Sequence, residues 1–240
     1  MRTDVLGVGF DPVVMDEAAR RVLALMDERR GAYVCTPNPE IVMLCRKAPA
    51  LLRAVNGADL VLPDGIGVVR ASKKLGRPLP ERAAGIDLFR AVLDRMEGRV
   101  YLLGGRPGVA EAAAEAIRKE YPGVTVCGCH DGYFADDGAV VREIEESAPD
   151  LVAVCLGSPK QELFMAAHRG PGVGVMLGLG GALDVLSGQK RRAPLSWRER
   201  GLEWLWRLIR EPGRLGRQMC LPAFLSAVRR QRKQEWKKED

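Results

Sequence analysis

The sequence predicts an α/β protein with a doubly wound, mainly parallel, Rossmann-like sheet and a C-terminal helical appendage. Short apolar runs that end in Gly, Pro or Asp alternate with longer stretches of helical period, the order typical of parallel strands joined by helices. The alternation stops near residues 191–194, and the charge changes there too. Met1–Gln189 carries 22 Lys and Arg against 25 Asp and Glu, whereas Lys190–Asp240 carries 15 against 6. We therefore predict an α/β domain over residues 1–191 and a basic amphipathic appendage over residues 192–240.

Seven apolar runs bounded by turn residues are predicted as strands. In chain order they are Val5–Phe10, Ala32–Thr36, Leu60–Leu62, Val100–Leu103, Val124–Cys127, Leu151–Leu156 and Val173–Leu177.

The stretches between these runs have helical period and helix-start residues. Asp16 is expected to cap a helix that runs to about Arg30, Pro39 opens a second helix, and Asp136 or Asp137 caps a later one. The remaining predicted helices are Ile86–Met96, Pro107–Tyr121, Asp137–Ser147 and Pro159–His168.

Composition indicates a globular chain, because 47% hydrophobic and 28% charged residues over 240 positions can form a substantial core. The longest uncharged apolar run, Gly170–Leu183, is shorter than the roughly 20 residues that a spanning helix needs. The first residues lack the pattern of a signal peptide. We therefore expect no membrane span and a cytoplasmic location.

The six cysteines include no Cys-x-x-Cys pair, and we expect them to be reduced, mostly core residues. Cys127, Cys129 and His130 are an alternative as metal ligands, but a fourth ligand is missing, so no metal site and no cofactor are predicted. The Gly-x-Gly-x-x-Gly pattern is absent from the first βα unit, which disfavours NAD. With two histidines in the chain, a Ser-His-Asp hydrolase has little support.

Polar clusters follow three of the predicted strands. They are Thr36–Glu40, Pro63–Gly65 and Gly157–Glu162. Because ligands of open parallel sheets bind beyond the carboxyl ends of the strands, these clusters are expected to converge on one rim.

Several residues of this rim allow two interpretations. Asp64 is either the carboxylate of a Pro-Asp-Gly turn or a general base at a strand end. Arg82 is either a solvated loop arginine or a cation for an anionic substrate. Ser158 either caps a helix or belongs to a phosphate site at that helix N-terminus, and Arg106 follows a second glycine-rich junction of the same kind.

A succession of motifs resembles the WecG/TagA/CpsF glycosyltransferases. From about residue 5 to residue 217 the motifs are, in order, Thr36–Glu40, Ala58–Gly65, Glu81-Arg82 with Gly85, Gly132–Phe134, Gly157–Glu162, Arg192–Pro194, Leu202–Trp204 with Arg207, and Glu211-Pro212. Each motif is weak alone, but their order is highly specific.

The resemblance implies an inverting, metal-independent enzyme at the cytoplasmic face of the bacterial membrane. It would transfer N-acetylmannosamine from a UDP-sugar donor to undecaprenyl-diphosphate-linked GlcNAc, as in the linkage unit of wall teichoic acid. Relatives that use N-acetylmannosaminuronic acid or other sugars leave the donor sugar open. A non-catalytic nucleotide-binding module with a basic tail is the rival from another class.

The resemblance also assigns roles to individual residues. Asp64 matches the general base that deprotonates the acceptor hydroxyl. Four residues match the pocket that holds the sugars and the diphosphate: Thr36, Asn38, Arg82 and Gln161. Three arginines of the appendage match cations that neutralise the leaving UDP: Arg207, Arg214 and Arg217. Fixed cations are the physical requirement here, because departure of a diphosphate accumulates negative charge.

The appendage contains two apolar stripes at helical spacing. The first, Leu202 to Ile209, is expected to dock at least partly on the body. Either it merely docks with its charges in solvent, or the docking also brings Arg207 to the site. The second comprises Leu221, Phe224, Leu225 and Val228 and precedes the basic run Arg229 to Lys238. For this stripe we favour an anionic membrane surface over docking on the body. Nucleic acid is disfavoured, because no binding module is recognisable and the body is slightly acidic.

Overall fold

The computed structural model describes residues 1–211, 213, 216 and 219–239. The chain begins with an antiparallel hairpin of β1 (Thr3–Val5) and β2 (Val8–Phe10), joined by Leu6 and Gly7 at positive φ. The prediction of one strand over Val5–Phe10 is therefore wrong. Positive φ at both turn residues matches the twist of a two-residue hairpin, but leucine seldom adopts it, so the apolar run hid the turn.

The centre of the molecule is a six-stranded sheet in which all pairs are parallel. Its strands are β3 (Tyr33–Cys35), β4 (Leu60–Val61), β5 (Gly98–Gly104), β6 (Val124–His130), β7 (Leu151–Cys155) and β8 (Val175–Gly178). Across the sheet their order is β4-β3-β8-β7-β5-β6. The predicted fold class is confirmed, and six of the seven predicted strands correspond to strands of this sheet.

Twelve helices can be described in the residues that the structure covers. They are α1 (Met15–Glu28), α2 (Pro39–Cys45), α3 (Pro49–Asn56), α4 (Ile66–Lys74), α5 (Gly85–Leu93), α6 (Val109–Glu120), α7 (Asp137–Glu146), α8 (Lys160–Ala167), α9 (Ala182–Leu186), α10 (Leu195–Glu199), α11 (Glu203–Arg210) and α12 (Cys220–Glu239). A 3-10 turn, Pro171–Val173, precedes β8.

The helices cover both faces of the sheet. Alternate strand residues point to opposite faces, so Val34 belongs to the core under α1, α5, α6 and α9. Its neighbours Tyr33 and Cys35 belong to the core under α2, α3, α4, α7, α8 and α12. The sheet is thus buried on both sides, as parallel sheets generally are.

Three predicted helix caps have different outcomes. Asp136 accepts a hydrogen bond from Gly138 N and caps α7, as predicted. Asp16 does not cap α1, which begins one residue earlier after Val14; Asp16 lies in the first turn, where a carboxylate interacts favourably with the helix dipole. Ser158 does not cap α8 either, because Pro159 occupies the N-cap position, after a cis peptide bond.

The second apolar stripe of the appendage docks on the body, contrary to the membrane-surface interpretation. Phe224 and Val228 on α12 are each 1% exposed and belong to the same core as the strand residues Cys35 and Val61. Gln231 fixes the helix further along, since it donates to Asp4 and accepts from Leu6 N. Phe224 and Val228 therefore lie in the core and not at a membrane surface, whereas Leu225 of the same stripe is 43% exposed. Among the described residues, no helix is long and apolar enough to span a bilayer.

Candidate active site

Three loops meet at the carboxyl ends of β3 and β4, and backbone hydrogen bonds join them. Asp64 N, after β4, donates to Pro37 O, after β3, over 3.3 Å. Ala83 N, in the segment before α5, donates to Pro63 O over 2.9 Å. Asp64, the predicted general base, therefore lies between the other two loops, and backbone hydrogen bonds connect its loop to both of them.

A cavity of about 400 Å³ opens at this junction. Three of the residues predicted for the site line it: Asn38, Asp64 and Arg82. They come from three different loops, so only the parallel sheet topology brings them together.

Asn38 contributes to the cavity from the N-cap of α2. Its Oδ1 accepts from Ile41 N at 3.1 Å, so its Nδ2 is the group that can donate to a ligand. The loop after β4 packs closely on this cap. A Cβ on Gly67 would lie 2.8 Å from Pro39 Cγ, and Gly65 has a φ of 116°. Gly67 is therefore required because a side chain would have no space, and Gly65 because of its backbone conformation.

Thr36 and Gln161, also predicted for the pocket, do not line this cavity. Both are buried and bind the backbone at the end of β8: Thr36 Oγ1 donates to Gly178 O at 2.8 Å, and Gln161 Oε1 accepts from Gly180 N at 3.0 Å. Their observed contacts hold the strand ends that carry the site. A direct role with substrate stays a prediction for these two residues.

Beside Gln161 lies a buried carboxyl group that the sequence did not single out. Glu162 is 2% exposed, and burial raises its pKa, although Gln161 Nε2 donates to it at 2.8 Å. Glu162 Oε2 and the Ser158 hydroxyl are both buried, and neither has a hydrogen bond of normal geometry among the described residues. The nearby hydroxyl nevertheless acts to lower the pKa of Glu162, against the larger effect of burial. Ser158 therefore contributes a buried polar group beside Glu162.

Arg82 is held by an ionic network rather than solvated. Its Nη2 lies 3.0 Å from Glu203 Oε2 on α11 and 3.8 Å from Asp87 on α5. Arg192, just after the body, forms a two-pronged pair with Asp87 and lies 3.8 Å from Glu203. The first residues of the appendage are thus bound to the body by buried or half-buried charges.

The pKa values in this network follow from these contacts. Burial by itself would raise the pKa of Asp87, but the hydrogen bonds from Arg192 and the charges of Arg82 and Arg198 bring it below its ordinary value. For Arg192, burial opposes the charged form, yet Asp87 and Glu203 raise the pKa, with a further contribution from Asp64. The charge of Asp64 therefore acts on the same network.

Two helix faces form the walls of the cavity. On α4 the lining residues are Ile66, Gly67, Arg70, Ala71 and Lys74. On α12 they are Cys220, Leu221, Phe224, Leu225 and Val228. From Gly67 and from Leu221 onward the spacing is i, i+3, i+4, i+7, which places these residues on one side of each helix. Helix α4 was not predicted, although the same spacing from Gly67 to Lys74 could have indicated a helix face directed at the rim.

Of the three predicted arginines of the appendage, the described residues include Arg207. The backbone of Arg207 lies on α11, the helix that also carries the cavity-lining Glu203 and Trp204. Its side chain, and Arg214 and Arg217 entirely, lie outside the described residues. Their interaction with a leaving diphosphate stays a prediction.

The metal-ligand alternative concerned Cys127, Cys129 and His130. Within residues 1–211, 213, 216 and 219–239, no group of three or more His, Cys, Asp or Glu side chains is arranged as a metal site. His130 instead contacts Asp131 O through Nδ1 and packs edge-on against Phe134. All six cysteines are free, and three of them are buried.

Comparison with known proteins places the chain among glycosyltransferases. Residues 3–238 match the family described as Glycosyl transferase WecG/TagA/CpsF. An N-acetylglucosaminyldiphosphoundecaprenol N-acetyl-beta-D-mannosaminyltransferase of Bacillus spizizenii is 39% identical over 208 residues, covering 85% of this chain and 80% of the relative. A protein of the same name from Staphylococcus aureus strain MRSA252 is 34% identical over 233 residues, covering 95% and 92%.

Proposed function

The chain belongs to the WecG/TagA/CpsF glycosyltransferase family, and from this premise we propose that it transfers N-acetylmannosamine from UDP-N-acetylmannosamine to undecaprenyl-diphosphate-linked N-acetylglucosamine. The names of the two relatives give this acceptor and this transferred sugar for them. The product would serve as a linkage unit for a cell-wall polymer. The observation that carries the proposal is the convergence of Asn38, Asp64 and Arg82 on one cavity at the carboxyl edge of the sheet.

In the proposed reaction, Asp64 is the general base. Its carboxylate takes the proton of an acceptor hydroxyl, and the hydroxyl oxygen forms a bond to the anomeric carbon of the donor sugar. The bond from that carbon to the UDP oxygen breaks, and UDP leaves with the electron pair. Attack opposite the leaving group inverts the anomeric configuration.

The other site residues would bind and orient the substrates. Asn38 Nδ2 can donate to a sugar hydroxyl, and Arg82 can donate to a phosphate oxygen from a guanidinium already oriented by Glu203. The charge of the departing UDP would be stabilised by Arg207, Arg214 and Arg217, as the family resemblance implies. Thr36 and Gln161 would support the same pocket from the strand ends.

The acceptor lies in a membrane, and we propose peripheral association of the enzyme with its inner face. The support is the exposed surface of α12 beyond the docked stripe, which carries Arg229, Arg230, Arg232 and Lys233. Trp236 is 61% exposed in the same segment, with Arg232 stacked 4.7 Å from its ring centre. Basic side chains interleaved with an exposed tryptophan suit an anionic headgroup layer.

A transfer assay with a panel of UDP-sugars and a polyprenyl-diphosphate-GlcNAc acceptor, read by product mass, tests the function. We expect a product one N-acetylhexosamine heavier with UDP-N-acetylmannosamine. Asp64→Asn should retain the fold and UDP binding but reduce turnover about 100-fold or more. Asp27→Asn, at an exposed site on α1, is the matched control.

Three outcomes would contradict parts of this proposal. A product formed only with a uronic acid or glucose-type donor would change the sugar. UDP binding without transfer to any polyprenyl acceptor would favour the nucleotide-binding module instead. Normal turnover by Asp64→Asn would remove Asp64 from the role of base.

A further inference from the structure

The cavity extends well beyond the residues assigned to sugar transfer. Helix α4 starts two residues after Asp64, and its cavity-lining face reaches Lys74 near the helix end. At 1.5 Å of rise per residue, Ile66 and Lys74 are about 12 Å apart along the helix axis. The cavity is therefore a groove that leads away from the proposed base between α4 and α12.

One wall of this groove is cationic. Arg70 and Lys74 are four residues apart on the cavity face of α4, and both are exposed. Within the described part of the chain, neither forms an ion pair with a carboxylate. Two adjacent cations on one face of a helix are suited to a diphosphate, which offers several acceptor oxygens to each.

The opposite wall is apolar. Phe224 and Val228 form its buried base, while Leu225 is 43% exposed and Leu221 is partly exposed at the cavity surface. Trp204 from α11 adds a 42% exposed aromatic side chain. A sugar nucleotide has no long apolar portion to place here, whereas burial of an isoprenoid chain against these side chains would be favourable.

From this arrangement we infer that the groove between α4 and α12 binds the acceptor, with Arg70 and Lys74 on its diphosphate and Leu221 and Leu225 on its first isoprene units. The inference rests on the proposed function, because Asp64 must face the acceptor sugar. The order along the groove then matches the order of the molecule: reacting sugar at Asp64, diphosphate along α4, and lipid along α12. The basic surface that follows Val228 on α12 would lie where the lipid continues toward the membrane.

The cationic wall is tested by steady-state kinetics with the acceptor and the donor varied separately. Arg70→Gln with Lys74→Gln should raise the KM for the polyprenyl-diphosphate acceptor about tenfold or more, since hydrogen bonds to charged groups are lost. The KM for the UDP-sugar should change less than twofold. Lys73→Gln with Arg77→Gln is the matched control, because these cations are exposed at the same end of α4 and do not line the groove.

The apolar wall is tested by acceptor chain length. The full-length enzyme should prefer a long isoprenoid acceptor over a short alkyl-diphosphate-GlcNAc, and Leu225→Gln should reduce this preference about fivefold or more. Leu163→Gln on α8 is the control, because Leu163 is 41% exposed but lies outside the groove. UDP binding, measured by calorimetry, reports that each variant is folded.

These outcomes distinguish the groove from the function. If the wild-type enzyme transferred no sugar to any polyprenyl acceptor, the proposed function itself would fail. If transfer were normal but Arg70→Gln with Lys74→Gln raised the donor KM or neither KM, the groove assignment would be overturned. An unchanged chain-length preference in Leu225→Gln would overturn the lipid part.

Discussion

Arg82 and Glu203 are 121 positions apart in sequence, yet Arg82 Nη2 lies 3.0 Å from Glu203 Oε2. The contact joins the loop before α5 to helix α11, and both residues line the cavity. Glu203 is 7% exposed, and Arg192 approaches its other oxygen at 3.8 Å. An arginine proposed to bind phosphate is therefore held in position by a carboxylate from the appendage.

The first prediction concerns this contact. Glu203→Ala should lower kcat/KM about tenfold, because Arg82 loses the hydrogen bond that orients it and keeps only the longer contact with Asp87 at 3.8 Å. Glu203→Gln, which retains an acceptor oxygen, should recover part of the loss. Steady-state kinetics with each substrate varied measures both. Glu199→Ala, at an exposed site on α10, should have no effect, and wild-type kinetics for Glu203→Ala would refute the positioning role.

The second prediction concerns the pH dependence of stability at Asp87. Its folded pKa is lowered, so the stability from its pairing is present above the unfolded pKa and is lost as pH falls through the lower, folded pKa. Asp87→Asn should therefore cost stability at pH 7, by about 1 kcal/mol after allowance for solvent screening, and much less at pH 3. Urea unfolding at both pH values measures the difference. Asp94→Asn, at the exposed C-cap of the same helix, is the control; an equal cost at both pH values would argue against the linkage.

The third prediction concerns the docking of α12. Phe224→Ala should lower the free energy of unfolding by about 3–5 kcal/mol, because it removes a buried aromatic side chain from the core. Leu225→Ala on the same helix should cost clearly less, since Leu225 is 43% exposed. Urea unfolding followed by circular dichroism compares them. Equal, small losses for both variants would mean that the helix does not dock in solution as described.

The fourth prediction concerns membrane association. Replacing Arg229, Arg230, Arg232 and Lys233 with glutamine should abolish most pelleting with anionic liposomes at low salt, since each cation near such a surface contributes about 1 kcal/mol. Folding should be unaffected, because these side chains are exposed. Four substitutions of exposed arginines on α1 and its flank, Arg20, Arg21, Arg29 and Arg30, provide a charge-matched control. Undiminished pelleting of the α12 variant would reject the proposed membrane surface.

The sequence predicted the α/β class and most strands because buried parallel strands have short apolar runs between helical stretches. The succession of motifs predicted the glycosyltransferase family, and the comparisons confirmed it. Local rules failed where two structures share one pattern. The apolar run from Val5 to Phe10 has the pattern of one strand, but Leu6 and Gly7 form a turn within it. Ser158 has the position of a helix cap, but its hydroxyl is buried and does not cap α8.

The amphipathic stripe of α12 illustrates the limit most clearly. Helical spacing determines that Leu221, Phe224, Leu225 and Val228 share a face, but it does not determine what covers that face. The tertiary structure answers this, because α12 packs on α2 and α4, with Phe224 and Val228 buried, and borders the cavity at Leu221 and Leu225.

By itself the sequence determined the fold class, the family and the presence of Asn38, Asp64 and Arg82 at strand ends or loops, because these depend on local periodicity and local motifs. Only the tertiary structure decided which of these side chains share a cavity, that Glu203 orients Arg82, and that α4 and α12 extend the site. Such relationships join residues far apart in the chain. They exist because the parallel sheet gathers strand ends at one edge and because the core accepts α12, and neither is encoded in a local pattern.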